Sequence, residues 1–277
     1  MTWTRRLPEL AIFAVVVAGL VGPIWLPSVP PPTCEDLLAH PSWAHPLGTD
    51  DSGHDLLAML ICGARTAVFT ALFGVALAVA IGLPLGALAG YLGGSVDVLL
   101  LRVVEVFSCF PKLFLVLAVG AFVGPSTGAI VAVLGLLGWT AFARIVRGEL
   151  LSLREREFVL VARSLGVGVA RVLVRHALPS AKGPVLVAAA FACADAVAAE
   201  ATISFLGLGP GLQVPSWGSL LHQGRLHAAE GHWHLWVFPT LALVATVWSL
   251  HCLADRWSFS VTGAGARVPD SSSVPLP

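Results

Sequence analysis

Residues 154–179 read REREFVLVARSLGVGVARVLVRHALP. Arg154, Arg156, Arg163, Arg171 and Arg175 stand among Leu, Val and Ala, Gly166 and Gly168 break the middle, and Pro179 closes the end. A bilayer crossing needs about 20 predominantly apolar residues, and no window here supplies them. The stretch therefore reads as two short amphipathic helices around a glycine turn, lying on a membrane surface rather than crossing it. Long apolar runs flank it on both sides.

Those runs set the class of the whole chain. Of 277 residues, 57% are hydrophobic and 12% charged, with a mean hydropathy of +0.86. Soluble domains carry about 25% charged residues, so the composition is that of an all-α polytopic membrane protein. A net charge of zero argues against a nucleic-acid surface. The five cysteines form no CxxC pair, so no structural zinc site is expected. Cys34 and Cys62 fall in one expected inter-helical loop, where a disulfide is open to them.

Six spans are expected, at 8–26, 64–92, about 98–123, 128–146, 184–206 and 235–254. Residues 27–63 and 207–234 are polar loops, and the Ser-, Pro- and Gly-rich tail 258–277 is expected to be disordered. The first span could be a cleaved signal peptide, but no small-x-small site follows it, so it reads as a retained helix. With the N-terminus inside, Arg5, Arg6, Arg144, Arg147, the arginines of 154–175, Lys182 and Arg256 fall on the inner side. Only Arg65 and Arg225 fall on outer loops. That bias fixes a layout with both termini inside. Gly74, Ala78, Gly82, Gly86, Gly90 and Gly94 recur every four residues and give one helix a small-residue stripe for close approach by another helix. Pro84 is expected to kink it.

Within the basic stretch, Val161-Ala162, Gly166 and Leu178-Pro179 stand at the spacings of a known cytoplasmic loop. It resembles that of the permease subunits of binding-protein-dependent ABC importers, although Leu160, Val161 and His176 depart from the pattern. His45-Pro46-Leu47-Gly48-Thr49-Asp50 with Gly53-His54-Asp55, and Ala143-Arg144-Ile145-Val146-Arg147 leading to Glu157-Phe158-Val159, are similar to the oligopeptide, dipeptide and nickel group of that family. So is Glu200 with Ser204-Phe205-Leu206-Gly207-Leu208-Gly209 and then Pro215-Ser216-Trp217-Gly218. The resemblance implies a type I importer permease fold. Residues 1–63 would be the first helix and an extracytoplasmic loop, 64–257 the core transmembrane domain, and 154–179 the coupling loop. Glu157, Val161, Ala162, Gly166, Leu178 and Pro179 would engage an ATPase. It further implies a homologous permease subunit, two ABC ATPase subunits and an extracytoplasmic substrate-binding protein as partners, in a lipid bilayer of the cell membrane. No GxxxxGK[ST] occurs, so ATP would be used by the partner subunits and no cofactor is assigned to this chain.

Ionisable residues at bilayer depth are the candidates for the transport path. Lys112 and Asp195 fall near the middle of the third and fifth spans, at depths differing by about 4–5 Å at ~1.5 Å per residue. They either pair beside a common cavity, or Lys112 snorkels and Asp195 is protonated against backbone groups. Glu105 and Glu200 either line the path or bond neighbouring helices. His222, His227, His232 and His234, with Glu230, lie in one loop; a His-x-His pair could hold a transition metal, but such a loop also reads as a plain interfacial segment, and no metal is assigned. No HExxH or nucleophile constellation supports an intramembrane hydrolase, and a passive channel would not need a docking loop. Peptides are the expected cargo, with nickel or another small solute as the alternative.

Overall fold

The structure, a computed structural model, describes residues 7–25, 37–123, 126–154, 178–209 and 214–263. All regular structure among them is helical: α1 (Leu7–Trp25), α2 (Leu56–Leu92), α3 (Gly94–Cys109), α4 (Lys112–Val123), α5 (Thr127–Arg154), α6 (Leu178–Phe205), α7 (Trp217–Leu226), a 3₁₀ turn (Ala228–Glu230) and α8 (His234–Gly263). Among the described residues, four stretches are long and apolar enough to cross a bilayer: Leu56–Leu92, Thr127–Leu153, Ala181–Phe205 and His234–Ser260. A shorter apolar run covers Pro8–Val21. Their outward faces keep Leu72, Phe73, Leu88, Leu241 and Val244 exposed, as side chains solvated by lipid would be.

Several boundaries differ from the sequence expectation, each for a local reason. The second span starts at Leu56 rather than 64. Asp55 is extended and its side chain accepts from the Ala58 N–H at 3.1 Å, and nothing in the first two turns breaks the helix. Its 37 residues are ~55 Å long at 1.5 Å per residue, well beyond a ~30 Å hydrocarbon core, and continue through Pro84. The expected third span, 98–123, is two helices. Phe110 adopts φ −90°, ψ 127° because the residue before a proline is driven out of the helical region, and Pro111 cannot donate to the turn behind it. The loop at 207–234 contains a helix, α7, started by a reciprocal capping box between Ser216 and Ser219. The tail expected to be disordered from 258 is helical to Gly263, since no proline or glycine falls between Ser258 and that residue.

The small-residue stripe is the seam of the fold. A Cβ placed on Gly82 would strike the Trp139 carbonyl oxygen, one on Gly86 the Ala143 carbonyl oxygen, and one on Gly90 the Arg147 carbonyl oxygen at 2.7 Å. Three glycines four apart thus meet three residues four apart, and α2 lies backbone to backbone on α5. Gly74 and Ala78 extend the seam against Leu134 and Gly138 at ordinary contact distances. Gly94 takes no part in it. With φ +57° after Gly93 at φ +64°, it opens α3 directly after the turn at Gly93, with nothing within 4 Å of a Cβ placed on it.

Both helices run in the same direction along this seam, so the intervening chain returns past them, and α3 and α4 together make that return. Around this pair, α6 packs on α2, α5 and α8, and α1 packs on α2 and α8. One core gathers Leu56, Met59, Ala64, Trp217, Leu220 and Leu235 at the Asp55 end of α2; another gathers Ala87, Tyr91, Val146, Leu150, Leu153 and Ala181 at its other end.

Candidate functional site

Between α2, α4, α5 and α6 lies a cavity of about 560 Å³. Gly74, Ala78, Gly138, Ala188, Ala192 and Ala199 line much of it, and their missing side-chain volume is what leaves the space open. Val116, Leu134, Phe142 and Phe191 complete the apolar wall, and among the described residues Asp195 is the single ionisable side chain in the lining. Asp195 is exposed. A charge in the middle of a membrane helix costs about 2.5–3.5 kcal/mol on insertion scales unless it is hydrated or paired, so an ionised aspartate there requires water or a cation.

Glu200, one turn further along α6, has the opposite environment. It is 1% exposed and accepts from the Ser204 Oγ at 2.7 Å, with Ser216 as a second hydroxyl partner. A Cβ on Gly218 would strike the Ala201 carbonyl oxygen, so α7 approaches α6 closely beside it. From α2, the Thr66 Oγ1 donates to the Pro215 carbonyl oxygen at 2.8 Å, and the Trp217 Nε1 donates to the Leu60 carbonyl oxygen at 3.0 Å. These bonds lock the entry to α7 onto α2, and the close approach of Gly218 to Ala201 sets it against α6.

At the far end of the seam, the Arg147 guanidinium grips Asp97 with both forks, Nη2 to Oδ2 at 2.7 Å and Nε to Oδ1. The pair is about one-fifth exposed and pins the first turn of α3 to α5. The Arg256 Nη1 meets the Glu9 Oε1 at 2.7 Å and joins α8 to α1.

Residues 82–259 match the family described as binding-protein-dependent transport system inner membrane component. The chain belongs to this family. It is a multi-pass inner-membrane permease subunit and carries transport rather than an enzymatic reaction. A protein described as a peptide permease in Brucella suis biovar 1 is 36% identical over 256 residues, 88% of this chain and 84% of the relative. The dipeptide transport system permease protein DppC of Bacillus subtilis is 32% identical, covering 89% of this chain and 77% of its own. The oligopeptide transport system permease protein OppC of Escherichia coli K12 is 38% identical, covering 76% and 70%.

Within this permease the residues singled out by sequence are scattered. Asp195 lines the cavity and Glu200 bonds neighbouring segments. Glu105 is exposed on α3, where its Oε2 accepts from Arg102 at 2.9 Å. Lys112 opens α4, but its side chain lies outside the described residues, as do Glu157, Val161, Ala162 and Gly166. Leu178 begins α6 and Pro179 is exposed in its first turn. Cys34 also lies outside the described residues, and Cys62 is half-buried on α2.

The motif at 45–55 is a folded knot. Asp50, 2% exposed, accepts from the Ser52 and His54 N–H groups at 2.9 and 2.7 Å and contacts the His54 ring. His45 meets Asp55 at 2.8 Å. Two of the loop histidines, His222 and His227, have separate partners. His222 Nδ1 bonds to the Phe205 carbonyl oxygen at 2.8 Å. His227 bonds to Glu230 at 2.9 Å and lies 3.6 Å from Asp51, and the Glu230 hydrogen bond pushes its pKa above the ordinary value.

Proposed function

We propose that this permease forms half of the transmembrane pathway of an ATP-driven importer of di- and oligopeptides. Six crossings, with the α3–α4 pair counted as one, would put both termini in the cytoplasm, consistent with the arginine bias. A homologous permease would complete the path, and an extracytoplasmic binding protein would deliver the cargo. Two ATPases would drive it through the loop 154–179, with Glu157, Val161, Ala162, Gly166, Leu178 and Pro179 at the contact.

One observation carries the reading. Among the described residues, the cavity presents a single carboxylate, Asp195, in a wall rich in alanines and glycines. Such a wall reads few side-chain features, and a lone carboxylate attracts the one cationic group that every free peptide has, its terminal ammonium. Lys112, Glu105 and Glu200 complete the ionisable set assigned to the path and its supports. The names of the peptide-permease relatives point to the same cargo.

The test is uptake of a labelled dipeptide into proteoliposomes holding the permease pair, its ATPases and the binding protein. ATP-dependent uptake is expected, with a clear loss in Asp195→Ala at unchanged assembly. Uptake without ATP would replace the importer with a channel. Transport of Ni²⁺ in place of peptide would replace the cargo.

A further inference from the structure

The structure brings three histidines from separate segments to one point. His40 comes from the loop before α2, His232 from the turn after the 3₁₀ helix, and His234 is the first residue of α8. One ring nitrogen from each lies within 4.8 Å of the others. The His40 ring lies 5.4 Å from that of His232 and 5.3 Å from that of His234, centroid to centroid. We propose that these three imidazoles bind one borderline divalent transition-metal ion, of the Zn²⁺, Ni²⁺ or Co²⁺ class.

Two further observations support metal over a simple stack of rings. The Nδ1 atoms of His232 and His234 are buried with no hydrogen-bond partner, although His234 is completely buried. A buried nitrogen left without a partner is unfavourable, and a metal ion takes up its lone pair. The other nitrogen of His234, Nε2, faces the Thr49 carbonyl oxygen at 3.4 Å. Donating Nε2–H there leaves Nδ1 as the lone-pair nitrogen, the tautomer a ligating histidine needs. Gly48, at φ +87°, makes the room: a Cβ on it would sit 2.8 Å from the His234 Cδ2.

The geometry is close to closure. Two nitrogens each ~2.1 Å from a tetrahedral ion lie about 3.4 Å apart, so separations of up to 4.8 Å close by up to about 1.4 Å on binding, shared between rotation of the exposed His40 and small movements of the other two rings. Three imidazoles favour these ions over Mg²⁺ or Ca²⁺, which take oxygen ligands. The fourth position falls to water. His227 is excluded, being held by Glu230 and Asp51. Once bound, the ion fastens the loop before α2 to the start of α8.

The experiment uses the full chain with its permease partner, purified without a histidine tag, stripped with chelator and dialysed against Zn²⁺. One Zn²⁺ per chain is expected, with a rise in the thermal midpoint that chelator reverses. His40→Gln, at an exposed position, and His232→Gln should each weaken binding by at least about 100-fold, since losing an outer-shell partner alone costs 10–100-fold. His222→Gln, bonded elsewhere, should leave binding unchanged. No Zn²⁺ retained by the unaltered chain, or equal retention by the His40→Gln/His232→Gln double variant, would overturn the assignment.

Discussion

The glycine seam makes the same substitution act with opposite sign at two positions. Glycine to alanine inside a helix gains about 1 kcal/mol of intrinsic propensity. At Gly148, an exposed α5 position with nothing within 4 Å of the added carbon, that gain stands alone, and Gly148→Ala should be neutral or slightly stabilising. At Gly86 the new Cβ would strike the Ala143 carbonyl oxygen and lie 2.9 Å from its Cα. Both atoms are backbone, so no rotamer change relieves them and α2 must move off α5. Carbon contacts are optimal near 3.5–4.0 Å, so relief takes a shift of about 0.6–1 Å, enough to forfeit a quarter to a half of each dispersion contact along the interface. Overpacking of this kind costs about 1–3 kcal/mol, the upper end applying to backbone clashes. Subtracting the propensity gain leaves Gly86→Ala destabilised by up to about 2 kcal/mol, a near-thirtyfold shift in the folding equilibrium. The assay is the temperature at which the detergent-solubilised permease pair loses its monodisperse elution peak. Gly86→Ala should lose it at a lower temperature than the unaltered chain, and Gly148→Ala should not. Gly86→Ala at or above the unaltered chain would refute a backbone-to-backbone seam.

Two other sites give further expectations. Arg147→Lys should lower the same thermal midpoint, because an ammonium cannot reproduce the two-pronged grip on Asp97. For a pair one-fifth exposed, the loss falls between the ~0–1 kcal/mol of surface pairs and the ~3–5 kcal/mol of breaking buried ones. An Asp97→Arg, Arg147→Asp exchange should recover part of that loss, and no recovery would show that the pair does not fasten α3 to α5. Glu200→Ala leaves the Ser204 hydroxyl without its acceptor in a buried place and should cost about 1–3 kcal/mol by chemical denaturation. Glu200→Gln, which keeps an acceptor oxygen, should cost less; equal losses would mean that charge rather than hydrogen bonding matters there.

How much could be read beforehand differs from element to element. The seam was legible because spacing by four is a property of one helix and needs no knowledge of its partner. Asp195 was legible because a charge in an apolar run is conspicuous wherever the chain goes. The break at Phe110–Pro111 was visible only as a proline, and proline inside α2 and α6 does not end those helices. Position alone could not separate the two outcomes. The early start of α2 turned on a single cap, Asp55, in a stretch whose polar character outweighed it. Glu200 and Asp195 look equivalent on paper, two acids five residues apart on one helix. Their surroundings differ because α7 folds over Glu200, and nothing local to α6 announces that. His40 is the clearest omission: histidines 232 and 234 advertise themselves as neighbours, whereas their third companion is distant in sequence and arrives only through tertiary folding.

The break between α3 and α4 bears on how the bundle could bend. A continuous helix resists flexing along its whole length, whereas at Phe110 and Pro111 the ladder of backbone bonds is interrupted at one level. The chain that runs back past the α2–α5 strut is therefore jointed between two helices, whereas α2 carries on as one helix through Pro84. A joint at that level would let the wall supplied by α4 tilt relative to the α2–α5 strut.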